Sequence, residues 1–388
     1  MRQLHRLTAE LDRIKEQGLW RQRTQNEVDD ASLLNFCSND YLGLAQDADL
    51  IKAAQAAVAR WGVGGQSSQF VSGYSRLQAD LEQALADWLQ REACLIFSSG
   101  FLANVGLLQA LLTPACGVVA DKLCHASLID GIRLSQAKWC RYQHLDPASA
   151  GRQLKRSQQE TGSLWVITES VFSMEGDVAP LKSLSALAQN YEAAMVVDEA
   201  HALGLIGPEG RGVAAEQGLT QNDVPVLIGT FGKAFGANGA FVVGPQRVID
   251  YLQQVTRSLI YTTAPPPAVL AAAQVGLDKI RQGDALRQHL QLLIQEFRQQ
   301  AMALGLPLLP SNTPIQPVMI GSAQRAVAIS DGLRAQGFWV QAIRSPTVPV
   351  DQARLRCVLN ASHSVEQVQA LVVALAKVAD SNGCLGVG

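Results

Sequence analysis

Short apolar runs alternate with amphipathic stretches along most of the chain. Runs such as "GVVAD", "LWVITES" and "AAMVVDEAH" predict buried strands, and stretches such as "ASLIDGIRLS" and "LKSLSALAQNY" between them have the apolar spacing of helices. This alternation predicts an α/β fold with a mainly parallel central sheet. The runs "VLIGTFGK" and "AFVVG" leave no room for a helix between them, which indicates an antiparallel pair of strands.

The beginning of the chain has a helical pattern of its own. Leu4, Leu7, Leu11 and Ile14 recur at the spacing of one helix face, so the first ~30 residues predict an amphipathic helix. A turn-rich segment, "NFCSNDYLGLA", follows it. We therefore predict an N-terminal part that joins a helix to a candidate substrate-binding segment.

The pattern changes again after "YTTAPPP". A long helical stretch at 267–304 precedes "QPVMIG", "AVAISDGLRAQG", "VQAIR", "RLRCVLN" and a final helix, which together predict a small α+β domain. The predicted organisation is an N-terminal segment (1–45), a large domain (46–275) and a small C-terminal domain (276–388).

Composition and charge narrow the class of protein. Hydrophobic residues make up 48% of the chain and charged residues 17%, as in an ordinary globular protein. The 32 Lys and Arg residues nearly balance the 34 Asp and Glu residues, which argues against a nucleic-acid partner. No signal segment and no apolar window of ~18 residues is present, so we expect no membrane partner. Seven scattered cysteines without a Cys-x-x-Cys pair predict free thiols, no metal site and a cytoplasmic protein.

One tetrapeptide suggests a different class. Asp198-Glu199-Ala200-His201 spells a motif of nucleic-acid helicases, which also need a G-x-x-x-x-G-K-[ST] phosphate loop ahead of it. The best match, "LIGTFGKAFG", follows the tetrapeptide, has Leu227 where the first glycine belongs, and has Ala234 after Lys233. The sequence therefore disfavours a helicase.

The same residues suit pyridoxal phosphate (PLP). Its ring nitrogen stays protonated beside a buried carboxylate, and Asp198 ends the apolar run "AMVVD". Its aldehyde reacts with a lysine amine, and Lys233 lies in a turn of small residues between Gly232 and Ala234. These two residues, with His201 three positions after Asp198, predict a PLP site.

A phosphate site is predicted from the same strands and turns. "SSGFLANVG" runs from a strand into a helix, so the backbone N–H groups of Gly100 and Phe101 can face a phosphate. Thr230 precedes Lys233 by three residues and offers a hydroxyl.

Over nearly its whole length the chain resembles the α-oxoamine synthases, which are fold-type I PLP-dependent transferases. The resemblance rests on "NFCSNDYLGLA", "FVSGYSRLQADLE", "FSSGFLANVG", "DKLCHASLIDGIRLS", "ESVFSMEGDVAPL", "VVDEAHALGLIGPEGRG", "TFGKAFGANGAFVVG", "LIYTTAPPP" and "AIRSPTVP". It implies that the large domain binds PLP. "AIRSPTVP" and "FVSGYS" point to the branch that forms 8-amino-7-oxononanoate for biotin biosynthesis. Two departures, "GGQSSQF" and Leu145 in "YQHLD", leave the acyl preference open.

The resemblance also implies roles for individual residues. The catalytic set is Lys233, His125, Asp198 and His201. Lys233 carries the cofactor and later abstracts the Cα proton, Asp198 pairs with the ring nitrogen, and His125 stacks on the ring and contacts the substrate. The other cofactor-binding residues are His201 and Ser173 at the phenolic oxygen, and Gly100, Phe101, Thr230 and, across a dimer interface, Thr262 at the phosphate.

Substrate binding is implied at four further positions. Asn39 and Arg356 bind the amino-acid carboxylate, and Arg21 and Thr347 contact the acyl substrate, with Arg344 as a further candidate. A solvated helix face explains Arg21 and the nearby Arg23 equally well.

The implied reaction is a decarboxylative condensation of L-alanine with a pimeloyl thioester, by a cytoplasmic homodimer. The thiol carrier, acyl carrier protein or coenzyme A, stays open. A sibling synthase that uses glycine or another amino acid with a different acyl-CoA is the close alternative. A PLP-binding protein without catalysis is the alternative from another class.

Overall fold

The computed structural model of the chain describes residues 2–16, 19–21, 23 and 33–383, except the side chains of 2, 3 and 5. These residues form two compact units. The large unit contains Asn39–Ser173 and Asp177–Gln288, and the small unit contains the other described residues. The domain limits predicted from the sequence, after residues 45 and 275, stay a prediction of domain organisation.

The elements are numbered in chain order over the described residues. The strands are β1 (Leu34–Asn35), β2 (Ala93–Phe97), β3 (Cys116–Asp121), β4 (Lys138–Tyr142), β5 (Ser163–Glu169), β6 (Ala194–Asp198), β7 (Val226–Thr230), β8 (Ala240–Gly244), β9 (Ile315–Gly321), β10 (Phe338–Trp339), β11 (Gln341–Ile343) and β12 (Ala353–Val358). The helices are α1 (Arg2–Glu16), α2 (Ala48–Trp61), α3 (Arg76–Leu89), α4 (Gly100–Leu111), α5 (Ala126–Ser135), α6 (Pro147–Gln158), α7 (Leu181–Asn190), α8 (Gly212–Glu216), α9 (Gln246–Val255), α10 (Arg257–Ile260), α11 (Pro267–Arg281), α12 (Asp284–Ala303), α13 (Ala323–Arg334) and α14 (Val365–Ser381).

The large unit is built on a seven-stranded sheet in the order β2-β8-β7-β6-β5-β3-β4. The strands from β7 to β4 in this order are mutually parallel, and β8 is antiparallel to both of its neighbours. The predicted α/β fold with a mainly parallel sheet is confirmed, as is the antiparallel pair. One core cluster joins apolar residues of the sheet to α4 and α5, among them Val118, Ile167, Leu107 and Leu128.

The carboxyl edge of this sheet carries polar side chains. The parallel strands β3, β5, β6 and β7 end at Asp121, Glu169, Asp198 and Thr230. Glu169 and Asp198 are direct partners in the register of their two strands. Since ligands of open α/β sheets bind outside the carboxyl ends of the strands, this edge is where a site is expected.

The small unit contains an antiparallel sheet in the order β11-β12-β9 and a two-stranded parallel pair of β1 with β10. Its last helix, α14, begins with a capping box, in which the Ser364 side chain and Gln367 each accept a hydrogen bond from the other's backbone N–H. The small unit thus combines strands and helices, as the α+β character predicted for the C-terminal part requires.

Arg356, a predicted substrate-binding residue, lies in the middle strand, β12, and is 7% exposed.

Two helical predictions differ from the structure. The stretch 267–304 is not one helix but two, α11 and α12, because the chain turns at Gln282 and Gly283. The N-terminal helix ends at Glu16 rather than near residue 30, and residues 17–18, 22 and 24–32 of that prediction lie outside the described part of the chain. No helix within the described residues is long and apolar enough to cross a membrane.

Candidate functional site

Asp198 is held at the end of β6 by two hydrogen bonds. Its Oδ2 accepts from Asn104 Nδ2 at 2.8 Å, and its Oδ1 accepts from the backbone N–H of Ala200 at 2.9 Å. The residue is 7% exposed. A buried carboxylate costs free energy unless its charge is met by donors or a cation, so this group is suited to pair with a protonated ring nitrogen.

His125 is connected to Asp198 through two further side chains. Its Nδ1 lies 2.7 Å from Ser127 Oγ, and Ser127 Oγ lies 2.9 Å from the same Asn104 Nδ2 that contacts Asp198. Although His125 is exposed overall, the packed side of its ring is desolvated, and this burial lowers the pKa of His125. Lys233 lowers this pKa as well, whereas Asp198 and Asp130 raise it. The structure thus brings the predicted residues His125 and Asp198 into one hydrogen-bonded network.

Glu169 adds a second buried carboxylate beside Asp198. It ends β5, is 3% exposed, and accepts a hydrogen bond of 2.5 Å from the backbone N–H of His125. Burial and the neighbouring Asp198 raise the pKa of Glu169 well above its ordinary value, while Lys233 opposes that rise. The Lys233 ammonium is therefore electrostatically coupled to both His125 and Glu169.

Lys233 lies in the turn between β7 and β8, which aromatic side chains hold in place. Phe231 and Phe235 flank it, are at most 1% exposed, and pack edge-on at 5.3 Å between ring centroids. Phe241 of β8 packs against both rings. The backbone N–H of Gly236 donates to Lys233 O at 2.9 Å. The turn is thus fixed by buried rings on both sides of the lysine.

The predicted phosphate-binding residues also lie together. Helix α4 begins at Gly100, and the Ser99 hydroxyl caps it by accepting from the N–H of Leu102 at 3.3 Å. Gly100 and Thr230 are close neighbours, since a Cβ atom added to Gly100 would lie 3.9 Å from Thr230 Oγ1. The Thr230 hydroxyl donates to Gly239 O at 2.9 Å, so it must turn before it can donate to a phosphate. The N–H groups of the helix start need no such change.

His201 contacts Tyr41, a residue for which the sequence predicts no role. Tyr41 OH lies 2.6 Å from His201 Nδ1 and donates to Asn39 Oδ1 at 3.2 Å. Tyr41 and His201 are 1% and 6% exposed. The tyrosine therefore connects the predicted ring-oxygen residue with the predicted carboxylate-binding residue.

The remaining cofactor-binding candidates of the large unit are less well defined by their contacts. Ser173 lies in the turn after β5, which the backbone N–H of Phe172 closes by donating to Asp177 O at 3.1 Å. Thr262 follows α10, next to the isolated bridge between Ser68 and Thr263. No hydrogen bond connects Thr262 to Gly100 or Thr230 within the described residues.

Two predicted acyl-substrate residues meet in the small unit. Arg21 Nη2 donates to Thr347 Oγ1 at 3.3 Å, although the two residues are far apart in the sequence. Arg344 donates to the backbone O of Trp20 at 2.6 Å. Both Arg21 and Thr347 are exposed. The predicted solvated helix face does not account for Arg21, because α1 ends at Glu16.

His144 is part of a charged cluster that sequence reasoning missed. Its Nδ1 lies 2.9 Å from Asp121 Oδ1 and its Nε2 lies 3.0 Å from Asp177 Oδ2. Because both ring nitrogens face carboxylate oxygens, both donate, and the ring is an imidazolium. Burial disfavours that charge, but the hydrogen bonds that His144 donates to Asp121 and Asp177 outweigh it and raise the pKa of His144 to about 10. Asp177 closes the turn that contains Ser173, so this cluster fixes that turn.

We expect replacement of His144 to change how stability depends on pH. The pKa in the folded state lies above the ordinary value of 6.5, so the contribution is fully present below that pH and is lost as pH rises through about 10. His144→Gln should lower the free energy of unfolding by about 1–2 kcal/mol near pH 6, after allowance for solvent screening, and by clearly less above pH ~10. Urea denaturation across this range measures the difference. His289→Gln is the control, and an equal cost of His144→Gln at both ends would contradict the ionic assignment.

Several site residues were found only in the structure. They are Tyr41, Asn104, Asp121, Ser127, His144, Glu169 and Asp177. Asn104 and Ser127 lie inside two of the quoted motifs, "FSSGFLANVG" and "DKLCHASLIDGIRLS", but nothing in a single sequence pairs an amide with a distant carboxylate. Cys124, beside His125, is 8% exposed, and burial raises its pKa well above the ordinary value, so it is a packing residue.

The donor set of this edge fits PLP. Asp198 offers a buried carboxylate to a ring nitrogen, Lys233 an amine to an aldehyde, and the start of α4 backbone N–H groups to a phosphate. Asn104 Oδ1 is buried and, within the described part of the chain, has no hydrogen-bond partner, which leaves an acceptor beside this network. Among those residues no cluster of three or more His, Cys, Asp or Glu is arranged to hold a metal ion.

Known proteins resemble the chain over nearly its whole length. The family model "Aminotransferase class I and II" matches residues 31–375. A relative named 8-amino-7-oxononanoate synthase, from Marinobacter nauticus, is 46% identical over 376 residues, 95% of each chain. A solved 8-amino-7-oxononanoate synthase from Francisella tularensis is 31% identical, with a TM-score of 0.78 over 91% of this chain and 100% of that one.

A second solved structure identifies the cofactor of the fold. A serine palmitoyltransferase from S. paucimobilis, solved with PLP-myriocin bound, is 28% identical and covers 97% of both chains with a TM-score of 0.90. The fold-type I class and the PLP cofactor expected from the sequence are thereby confirmed. The chain belongs to the class I and II aminotransferase family of PLP-dependent enzymes, among the 8-amino-7-oxononanoate synthases.

Proposed function

We propose that this enzyme condenses L-alanine with a pimeloyl thioester, releases carbon dioxide and the free thiol carrier, and forms 8-amino-7-oxononanoate for biotin biosynthesis. The observation that carries the proposal is the convergence of Asp198, His125 and Lys233 at one sheet edge, in a chain 46% identical to a relative named for that product.

Each cofactor-facing residue has a separate proposed role. When bound, PLP withdraws electrons from the substrate Cα and so weakens the bonds to its hydrogen and carboxylate. Asp198 keeps the proton on the ring nitrogen, and His201 and Ser173 hold the ring's phenolic oxygen. Lys233 would hold the cofactor at its aldehyde carbon and, once the substrate amine had displaced it there, the freed lysine amine would accept the Cα proton as a general base. The N–H groups of Gly100 and Phe101, with Thr230, hold the phosphate.

The substrate-facing residues supply charge and orientation. Arg356 has a planar guanidinium that can bind a carboxylate through two parallel hydrogen bonds, and Asn39 offers an amide to the same group. Arg21 and Thr347, which contact each other at 3.3 Å, are proposed for the acyl substrate. Whether that substrate arrives on acyl carrier protein or on coenzyme A is a question for the assay below.

We propose that the enzyme acts as a homodimer in the cytoplasm. Large apolar side chains near the phosphate-binding residues are exposed on a single chain: Phe70 (47%), Val71 (78%), Phe101 (47%) and Tyr261 (73%). A second copy that covered them would remove this apolar area from water. The same contact would bring Thr262, the neighbour of Tyr261, to the phosphate of the other subunit.

A sibling synthase is the second candidate, and one observation favours it. The serine palmitoyltransferase matches this fold with a higher TM-score, 0.90, than the Francisella tularensis synthase does, 0.78. Sequence identity favours the first proposal, since 46% with the Marinobacter nauticus relative exceeds 28% with the palmitoyltransferase.

The proposal is tested with a matched substrate panel. Purified holoenzyme receives L-alanine, glycine or L-serine, each with pimeloyl-CoA, pimeloyl-acyl carrier protein or palmitoyl-CoA, and carbon dioxide and free thiol are measured together. We expect kcat/KM to be highest for L-alanine with a pimeloyl thioester, with one carbon dioxide per thiol. A preference for glycine or L-serine would move the enzyme to a sibling activity, and thiol release without carbon dioxide would refute the condensation.

A further inference from the structure

Asn104 occupies a position from which its amide can meet two partners at once. It lies in α4, is 2% exposed, and its Nδ2 is 2.8 Å from Asp198 Oδ2 and 2.9 Å from Ser127 Oγ. A carboxylate oxygen only accepts, so the amide nitrogen, not the amide oxygen, must face Asp198. The two hydrogens of the amide are then used, one on Asp198 and one on Ser127.

The Ser127 hydroxyl group connects Asn104 to His125. Its oxygen accepts from Asn104, which leaves its own hydrogen for His125 Nδ1 at 2.7 Å. The backbone N–H of Ser127 points at the same Nδ1 at 3.3 Å. A backbone N–H cannot accept, so Nδ1 must be the acceptor and cannot carry a hydrogen. The neutral imidazole therefore carries its hydrogen on Nε2.

We propose that Asn104 and Ser127 are positioning residues, which fix His125 as the neutral Nε2–H tautomer and hold the Asp198 carboxylate in place through one shared amide. A proton added at Nδ1 would face the Ser127 N–H and break the chain of hydrogen bonds. The hydrogen-bond donor that His125 can present to a ligand is then its Nε2–H group. The inference deepens the proposed function, because it rests on His125 as the residue that faces the cofactor.

The charged groups around His125 have opposing effects on the pKa of its ring. Asp198 at the end of β6 and Asp130 in α5 favour a charged ring, and Lys233 after β7 disfavours it. Glu169 at the end of β5 binds the backbone N–H of His125 rather than its ring. The lowered pKa of His125 agrees with the neutral form that the hydrogen bonds require.

The tautomer can be read directly by nitrogen NMR. The chain has six histidines, so a histidine-labelled holoenzyme gives few imidazole signals, and His125→Gln identifies the signal of His125 by its loss. We expect an unprotonated Nδ1 and a protonated Nε2 near neutral pH, both in the holoenzyme and after removal of PLP. A protonated Nδ1 in the unaltered protein would overturn the proposal without the use of any variant.

The two positioning residues are then tested by substitution. Ser127→Ala removes a hydrogen bond to the neutral ring, so the pKa of His125 should rise by up to about one unit, and Asn104→Ala should shift it in the same direction. Ser135→Ala is the matched control, because Ser135 lies on the same helix and donates to Ile132 O instead. Circular dichroism confirms folding of each variant. Because Ser127→Ala keeps the backbone N–H that donates to Nδ1, the tautomer should persist in this variant, and the pKa of His125 is the readout that decides. An unchanged pKa of His125 in Ser127→Ala would overturn the proposal, and this readout does not depend on whether L-alanine is the substrate.

Discussion

Replacement of Lys233 with alanine is expected to lower turnover by about 10³-fold or more. The same amine is proposed to hold the cofactor and to accept the Cα proton, and no other lysine lies in the turn between β7 and β8. Carbon dioxide and thiol release measure the loss. Borohydride reduction of the unaltered holoenzyme, followed by peptide mass spectrometry, should find the cofactor attached at Lys233.

A control variant shows whether the loss of turnover is specific to the Lys233 amine or follows from removal of any lysine. Lys182→Ala removes an exposed lysine at the start of α7 and should leave turnover unchanged. Lys233→Ala should fold normally, because buried rings of Phe231, Phe235 and Phe241, rather than the lysine, hold the turn. A cofactor attached to a different lysine, or turnover by Lys233→Ala close to that of the unaltered enzyme, would refute the assignment.

The parts of the fold that follow from local pattern could be predicted from the sequence. Strands β3, β5 and β6 are apolar runs buried on both faces, and their ends at acidic residues mark the site edge. Strand β4, "KWCRY", was missed because it lies at the sheet edge and has exposed basic residues. Helix α6, "PASAGRQLKRSQ", was missed because few of its residues are apolar, and only Ser149, Ala150 and Leu154 are buried.

The parts of the site that depend on long-range contacts could not be predicted in this way. Asp198 and Lys233 were found because each lies in a recognisable strand end or turn. Asn104 meets Asp198 across 94 positions of sequence, and His144 meets Asp121 and Asp177 across 23 and 33. Such pairs are set by strand order, which brings β3, β5 and β6 side by side. A single sequence contains the side chains but not the order of the strands.

Replacement of Asp198 with asparagine is expected to lower kcat by about 10²–10³-fold, with a smaller effect on KM. The carboxylate is proposed to keep the ring nitrogen protonated, and a neutral amide cannot supply the charge that raises that nitrogen's pKa. The measurement is steady-state turnover together with the visible spectrum of the bound cofactor as pH is varied. In the variant, the spectral change assigned to the ring nitrogen should occur at lower pH than in the unaltered enzyme.

The local hydrogen bonds predict how this variant remains folded. In Asp198→Asn, the oxygen of the introduced amide could still accept the hydrogen bond from Asn104. The NH2 group of that amide would then face the backbone N–H of Ala200, so the hydrogen bond that Ala200 donates to Asp198 Oδ1 would be lost. One lost hydrogen bond of this kind costs about 1–3 kcal/mol, which thermal denaturation can detect without loss of the fold. Asp250→Asn, an exposed change in α9, is the control for the loss of a carboxylate. If Asp198→Asn kept its turnover and the pH dependence of its spectrum, the cation facing this carboxylate would not be the ring nitrogen, and the orientation proposed for the cofactor would be wrong.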